Sequence, residues 1–474
     1  MSEREYDVIV IGAGAVGENV ADRTVQGGMS TVIVEAELVG GECSYWACMP
    51  SKGLLRSAAA LRAARDLDGA KQAVTADVDV AGVLRRRDRM THDWDDASQV
   101  RWLEKAGIDL VRGHAEFTGI KRVRVTAEDG TVTDLVARHA VAVSTGSAAL
   151  LPDIPGLREI GPWTSRDATG VKTVPASLAV IGGGVVAAEM ATAYAGFGTE
   201  VTLLVRTALL ETMEPFAAEQ VEASLEKLGV TVRKGVEVTA AHRADSNAVL
   251  TLSDGGRLVA EEVLVAIGRT PRTGDLGLES IGLQPGAWLT VDDTLRVKGT
   301  DWLYAVGDVN HRALLTHQGK YQARAAGDVI SARAKGVAVS DAPWGAHVAT
   351  ADHDHVPQVT FTDPEVASVG LTEAAARAAG RGIRVLDYDL SWVAGATTYA
   401  DHYEGMARAI VDEQRGVLIG ATFVGPDVAE LLHAATIAIV GEVPIDRLWH
   451  AVPAYPTLSE VWLRWLEEYG RPTA

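Results

Sequence analysis

Tyr6-Asp-Val-Ile-Val-Ile-Gly12-Ala-Gly14-Ala-Val-Gly17 is the stretch that decides the fold. Its first six residues read as a buried parallel strand, and the glycines open a helix predicted to end near Gly27-Gly28. A second strand, Thr31 to Val34, then delivers Glu35. A dinucleotide needs this spacing: the glycines permit a tight turn and close approach of a pyrophosphate, the helix start faces the phosphates, and the acid reaches a ribose hydroxyl. A plain strand-to-helix turn is the alternative reading of the glycines alone. The pattern recurs where Ser177-Leu-Ala-Val-Ile181 leads into Gly182-Gly-Gly184-Val-Val-Ala187, a helix to about Ala195 and a strand Val201-Thr-Leu-Leu-Val205. Two such units imply two dinucleotides. The second unit ends on Arg206 instead of an acid, and an arginine suits a 2′-phosphate, so NADPH is favoured. No second cation follows in Thr207-Ala-Leu-Leu-Glu211, which leaves NADH open.

The 474 residues exceed what one core usually organises, so two or three domains are expected. With 63 acidic and 44 basic residues the formal charge is -19, which repels phosphate backbones and anionic lipid surfaces. Nucleic-acid and membrane partners are therefore not expected. The start Met1-Ser-Glu-Arg-Glu-Tyr6 runs straight into an apolar strand and no apolar run reaches spanning length, so a cytoplasmic location is expected.

Two cysteines occur, five positions apart, within Gly40-Gly-Glu-Cys43-Ser-Tyr-Trp-Ala-Cys48-Met-Pro-Ser-Lys52. A disulfide framework across the fold is excluded. The pair reads as redox chemistry, as a metal site or as two inert thiols; zinc needs further ligands, and no histidine lies nearby in sequence. A disulfide relays two electrons only when a donor abuts one sulfur and a substrate reaches the other. A helix start with Lys52 one turn on favours thiolates. Attack on a substrate disulfide then needs a proton donor for the departing thiol. The aromatic pair Tyr45 and Trp46 either shapes a substrate pocket or packs in the core. Asp352-His353-Asp354-His355 reads as solvated charge in a polar linker, with chelation the lesser reading, and no metal site is expected. Trp462 and Trp465 are expected at a subunit interface.

Together these residues resemble the pyridine nucleotide-disulfide oxidoreductases, the family of glutathione reductase, dihydrolipoamide dehydrogenase and mercuric reductase. The resemblance covers nearly the whole chain. Besides both glycine fingerprints and the cysteine segment it rests on Ser144-Thr-Gly-Ser147, Ala266-Ile-Gly-Arg269, Tyr304-Ala-Val-Gly-Asp308 and Thr362-Asp-Pro-Glu-Val-Ala-Ser-Val-Gly370. It implies an α/β chain with two Rossmann-like dinucleotide-binding domains and a C-terminal α+β dimerisation domain. FAD would take residues 1–152 and 278–345, the nicotinamide nucleotide 153–277, and the interface domain 346–474. By the same resemblance Asp308 would hold the FAD ribityl chain, Thr145, Gly146 and Ser147 would line the FAD site, and Ala115 and Gly268 would count among the cofactor-binding positions. Lys52 would lie near flavin N5, paired with Glu189. Cys48 would be the flavin-facing, charge-transfer thiol and Cys43 the interchange thiol.

The resemblance also implies a homodimer in which the C-terminal segment completes the partner's site. Here the chain departs from the family pattern. The family's disulfide reductases place a histidine before Pro-Thr, whereas this sequence reads His450-Ala-Val-Pro-Ala-Tyr455-Pro-Thr-Leu-Ser-Glu460. Tyr455 takes the histidine position and Glu460 the supporting one. A tyrosine, with a reference pKa of about 10, donates a proton but is a poor base near neutrality. Tyr455 is either structural or the proton donor, with His450 the alternative donor. A small disulfide is the expected electron acceptor; a quinone, a metal ion, oxygen or a dihydrolipoamide dehydrogenase-like reaction are the alternatives. Mercuric reductases deliver metal through an extra C-terminal cysteine pair, which Glu467-Glu-Tyr-Gly-Arg-Pro-Thr-Ala474 lacks.

Overall fold

The computed structural model describes residues 2–471, and these gather into two units. One holds the chain through Pro50, Asp88–Leu150 and Gly268–His353; the other holds Ser51–Arg87, Leu151–Ile267 and the chain from Asp354.

The first unit is built on a sheet in the order Asp109–Arg112, Thr31–Glu35, Ser2–Ile11, Val132–Val143, Arg122–Thr126, His114–Gly119, with Leu303–Ala305 also paired to Val132–Val143. The central strands are parallel, Val10 lying opposite Ile33 on one side and Ala142 on the other. Successive side chains go to opposite faces. Val8 and Val10 join the core under the helices Ala15–Gln26 and Thr316–Ala334, while Ile9 and Ile11 join the core with Phe117, Val125 and Trp302. A strand buried on both faces has no polar side, which is why it reads as an unbroken apolar run. It also begins earlier than its apolar stretch predicts, because Ser2 to Tyr6 pair with Thr133 to Ala137.

The second unit carries a parallel sheet, Thr231–Lys234, Glu200–Val205, Ser177–Ile181, Glu262–Val265, and a three-stranded antiparallel meander from Val238 to Ala260. The helix Val185–Ala195 is almost entirely buried against it. A five-stranded antiparallel sheet follows, Gln358–Thr360, Glu365–Gly370, Val417–Gly425, Met406–Asp412, Ile383–Asp389. Arg408 fixes one side of that sheet by reaching Asp387 at 2.7 Å, Glu373 at 2.8 Å and the buried Glu214 at 3.0 Å.

One expectation changes. Trp465, on the helix Val461–Tyr469, is only 2% exposed within the single chain and packs on Phe423, ring centroids 5.4 Å apart. It is core, because the helix turns its apolar stripe onto the antiparallel sheet. The Asp352/His353 pair is likewise committed to ion pairs: Asp352 accepts from Gln318, Gln322 and Arg312, and His353 sits 2.9 Å from Asp293. Among the described residues no helix is long and apolar enough to cross a membrane.

Candidate active site

The cysteine loop is set by two glycines that only a residue without Cβ fills easily. Gly40 and Gly41 have φ of +111° and +60°, and a Cβ on Gly41 would lie 2.6 Å from the Gly14 Cα. The turn therefore presses on the first fingerprint. The short helix Gly41–Tyr45 then carries Cys43. Tyr45 is buried and donates to the Val39 carbonyl at 3.1 Å, while the Val39 N–H donates to Asp96 at 2.7 Å. The first contact closes the loop on itself and the second ties it to a distant part of the chain. Trp46 meets the Tyr45 ring edge-on at 5.7 Å. Cys43 and Cys48 are joined as a disulfide with Cα atoms 4.7 Å apart. Cys48 is the first residue of the helix Cys48–Arg65, and its Sγ lies 3.3 Å from the hydroxyl of Thr316, the first residue of Thr316–Ala334. A hydroxyl donor and a helix start both favour negative charge on sulfur. Thr316 carries no motif that marks it in sequence.

Glu35 closes the strand Thr31–Glu35 and accepts the Ala13 N–H at 2.7 Å and the Glu37 N–H at 2.8 Å. Burial pushes its carboxyl above the usual range, although those backbone donors oppose the shift. A Cβ on Gly12, at φ +96°, would lie 2.5 Å from the Ser144 carbonyl, and the one at Gly17 would collide with the Gly12 carbonyl. The helix Ala15–Gln26 starts at Gly14 with no side-chain cap, and two buried atoms close by, Ser144 Oγ and Glu18 Oε1, have no hydrogen-bond partner among the described residues. An uncapped helix start, an acid at the end of the next strand and unpartnered oxygens fit FAD.

Ser147 and Asp308 meet at 2.5 Å, and Arg269 donates to the Ser147 hydroxyl and, at 2.7 Å, to its carbonyl. Burial raises the Asp308 carboxyl, with Ser147 and Arg269 opposing. Thr145 donates to the Arg272 carbonyl at 2.8 Å, Gly146 and Gly268 sit at φ +71° and +143°, and Ala115 is buried on His114–Gly119. Arg272 also reaches Glu42, beside Cys43, at 3.5 Å.

In the second unit Lys52 Nζ pairs with Glu189 at 2.9 Å and stands 4.6 Å from the Phe361 ring centre. Glu189 is buried and also accepts the Phe361 N–H at 3.0 Å. In the second cradle a Cβ on Gly182, at φ +135°, would collide with the Ala266 carbonyl and one on Gly183 would lie 2.9 Å from the Ala208 carbonyl, but at the helix start a Cβ on Gly184 would meet nothing within 4 Å. Gly184 heads the helix Val185–Ala195 uncapped, Ala187 is buried on it, and Arg206 is exposed just past Glu200–Val205. Among the described residues Arg206 has no ion-pair partner.

Tyr455 is 78% exposed and His450 is exposed. Glu460 does not turn to either. It is buried in a capping box, one carboxylate oxygen accepting the Thr457 and Gly395 N–H groups at 3.1 Å each.

Residues 6–328 match the family model described as pyridine nucleotide-disulphide oxidoreductase, and residues 356–465 match that family's dimerisation domain. The chain is 33% identical over 470 residues to a dihydrolipoyl dehydrogenase of Chlorobaculum tepidum, spanning 96% of this chain and 95% of that one. It is 30% identical over 463 residues to a mercuric reductase of Staphylococcus aureus, spanning 96% and 81%. The copper(II) complex of the HOCl-induced flavoprotein disulfide reductase RclA from Escherichia coli shares the fold, with a TM-score of 0.85 at 22% identity over 98% of this chain and 100% of that chain. The chain thus belongs to the pyridine nucleotide-disulphide oxidoreductase family, as a flavoprotein whose redox-active disulfide is Cys43–Cys48.

Proposed function

We propose that this protein is a cytoplasmic, homodimeric, NADPH-dependent reductase of a small disulfide. The observation that carries the reading is a disulfide whose Cys48 heads a helix and faces the Thr316 hydroxyl at 3.3 Å. In this reading residues 1–152 and 278–345 hold FAD, residues 153–277 take NADPH through Arg206, and residues 346–474 form the dimer. FAD, when bound, supplies a two-electron relay between the nicotinamide and the disulfide.

The chain's residues perform the rest. Two electrons and two protons convert the Cys43–Cys48 bond to a dithiol. The Cys43 thiolate attacks one sulfur of the substrate, a mixed disulfide forms, and the first thiol leaves with a proton. Cys48, held as thiolate by its helix start and Thr316, then attacks the Cys43 sulfur, expels the second thiol and restores the disulfide. Lys52, fixed by Glu189, keeps a positive charge one helical turn beyond Cys48. The proton donor is Tyr455 or His450 of the partner subunit.

One observation favours a second reading. Glu460 is buried with one carboxylate oxygen committed to the Thr457 and Gly395 N–H groups while Tyr455 is 78% exposed, so among the described residues Tyr455 lacks the support that a proton-transferring pair needs. An acceptor that releases no thiol, such as a quinone, a metal ion or oxygen, makes no such demand. The likeness to dihydrolipoyl dehydrogenases also keeps dithiol oxidation in view, although Arg206 and Tyr455 speak against it. Cys43→Ser and Cys48→Ser decide between them in NADPH-driven assays with a small aromatic disulfide and with a quinone. The expected result is a loss of about 10³-fold or more in disulfide turnover in both variants, with FAD retained. Unchanged quinone turnover in both, with no disulfide turnover in the unaltered enzyme, would give the second reading.

A further inference from the structure

Glu18 stands inside the first fingerprint helix, directly after Gly17, and is 8% exposed. Its Oε1 has no hydrogen-bond partner among the described residues. A buried carboxylate oxygen left alone is costly, and native structures seldom leave one without a purpose. Helical side chains lean toward the N-terminus, and residues four apart stack on one face. The Glu18 carboxyl therefore leans over Gly14, where the uncapped helix start, the bridge to Gly40 and the close approach of Gly41 converge.

We propose that Glu18 acts as a neutral carboxylic acid whose O–H donates to a pyrophosphate oxygen of FAD held at the Gly14 helix start. This rests on the reading that the first fingerprint binds FAD, and it adds a donor that the fingerprint itself does not contain. An ionised carboxylate here would face the phosphates as a like charge, whereas the protonated group offers the hydrogen that the unpartnered oxygen can carry. The surroundings support the neutral form. Burial pushes the Glu18 carboxyl up to about 7, Lys320 from Thr316–Ala334 pulls it down, and Glu35 from Thr31–Glu35 pushes it further up. Tyr45, from Gly41–Tyr45, is itself pushed up to about 12 by burial and stays uncharged. A bound phosphate adds negative charge and favours the proton further. Retention of FAD then weakens as pH rises through the Glu18 titration.

The holoenzyme tests this through flavin release, read by flavin fluorescence on dilution and on heating from pH 6 to pH 9. The unaltered enzyme should lose FAD more readily as pH rises, by up to about tenfold in dissociation constant per pH unit above the titration. Glu18→Gln, which keeps a donor of the same shape, should hold FAD as tightly as the unaltered enzyme does at pH 6 and should show no such slope. A slope in Glu18→Gln parallel to that of the unaltered enzyme would overturn the proposal, and so would a flat profile in both. If Glu18→Gln does not fold, infrared spectra of the unaltered holoenzyme with 13C-labelled glutamate decide. A protonated glutamic-acid band at pH 7 that shifts on FAD release supports the role; its absence overturns it. FAD bound with a flat profile ends only the Glu18 role, whereas a purified chain that takes up no FAD ends the functional reading itself.

Discussion

The two glycine fingerprints share a backbone, and at Gly12 and Gly182 alike a Cβ would strike a strand-end carbonyl, but what covers the helix start and what charge stands beside it differ. At Gly12–Gly17 the turn Gly40-Gly41 presses on Gly14, Glu18 is buried and Glu35 half-buried, and burial raises both carboxyls. At Gly182–Ala187 the space beside Gly184 is open and the partner at the strand end is an exposed arginine. A roofed, desolvated cradle suits a resident group, and an open one suits a nucleotide that enters and leaves. The glycine motif sets how the chain turns; burial sets what charge the site tolerates.

The harshest test exchanges the glycines. Gly41→Ala, at a φ of +60°, puts a Cβ 2.6 Å from the Gly14 Cα in the roof of the first cradle, and it should cost about 3 kcal/mol or more, seen as loss of flavin-loaded, folded protein. Gly184→Ala has a φ of -85° and open space, so it should cost under about 1 kcal/mol and act on the KM for the nicotinamide nucleotide. Equal losses in the two variants would break the contrast.

A paired and an unpaired acid come next. Glu189→Gln leaves Lys52 without its counter-ion, and because Lys52 is itself 34% exposed the loss should be about 1–3 kcal/mol in the denaturant midpoint at constant slope. Glu18→Gln should go the other way at pH 8. The folded-state pKa of Glu18 lies above its unfolded value, so the folded protein binds the extra proton and stability falls as pH climbs from about 4.5 through about 7. The glutamine variant escapes that fall and should melt higher than the unaltered enzyme at pH 8, but not at pH 4.

The smallest effect belongs to Arg206. Arg206→Glu should move the NADPH-to-NADH ratio of kcat/KM by about tenfold toward NADH, since an exposed charge-assisted contact is worth about 1.5 kcal/mol. It should leave the flavin content untouched. An unchanged ratio would remove Arg206 as the reader of the 2′-phosphate.

Strand, glycine turn and helix were legible at both fingerprints because each is a local matter of apolar run, φ and helix start. The helix predicted to Ala195 ends there, and the one predicted to Gly27-Gly28 ends at Gln26 with Gly27 as its cap. The candidate site was only half legible. Lys52 and Glu189 could be paired by resemblance, but Phe361 beneath the lysine and Thr316 beside Cys48 carry no sequence signal of their own. Glu18 did leave one, an acid in the first turn of a helix otherwise opened by small and apolar residues. Trp465 was misplaced because an aromatic on a terminal helix looks the same whether its stripe meets a sheet or a second subunit.

What the sequence determined by itself is what short-range chemistry governs: two strand–glycine–helix units, the acid after one and the arginine after the other, and a cysteine pair close enough to bond. The tertiary structure decided which charges are desolvated and which carboxylates are already occupied. One oxygen of Glu460 is held by Gly395, Asp308 is clasped by Ser147, and Glu18 is sealed in with its Oε1 unpartnered among the described residues. Those outcomes depend on groups brought from distant parts of the chain, and on a local dielectric that exists only once the core has closed around them.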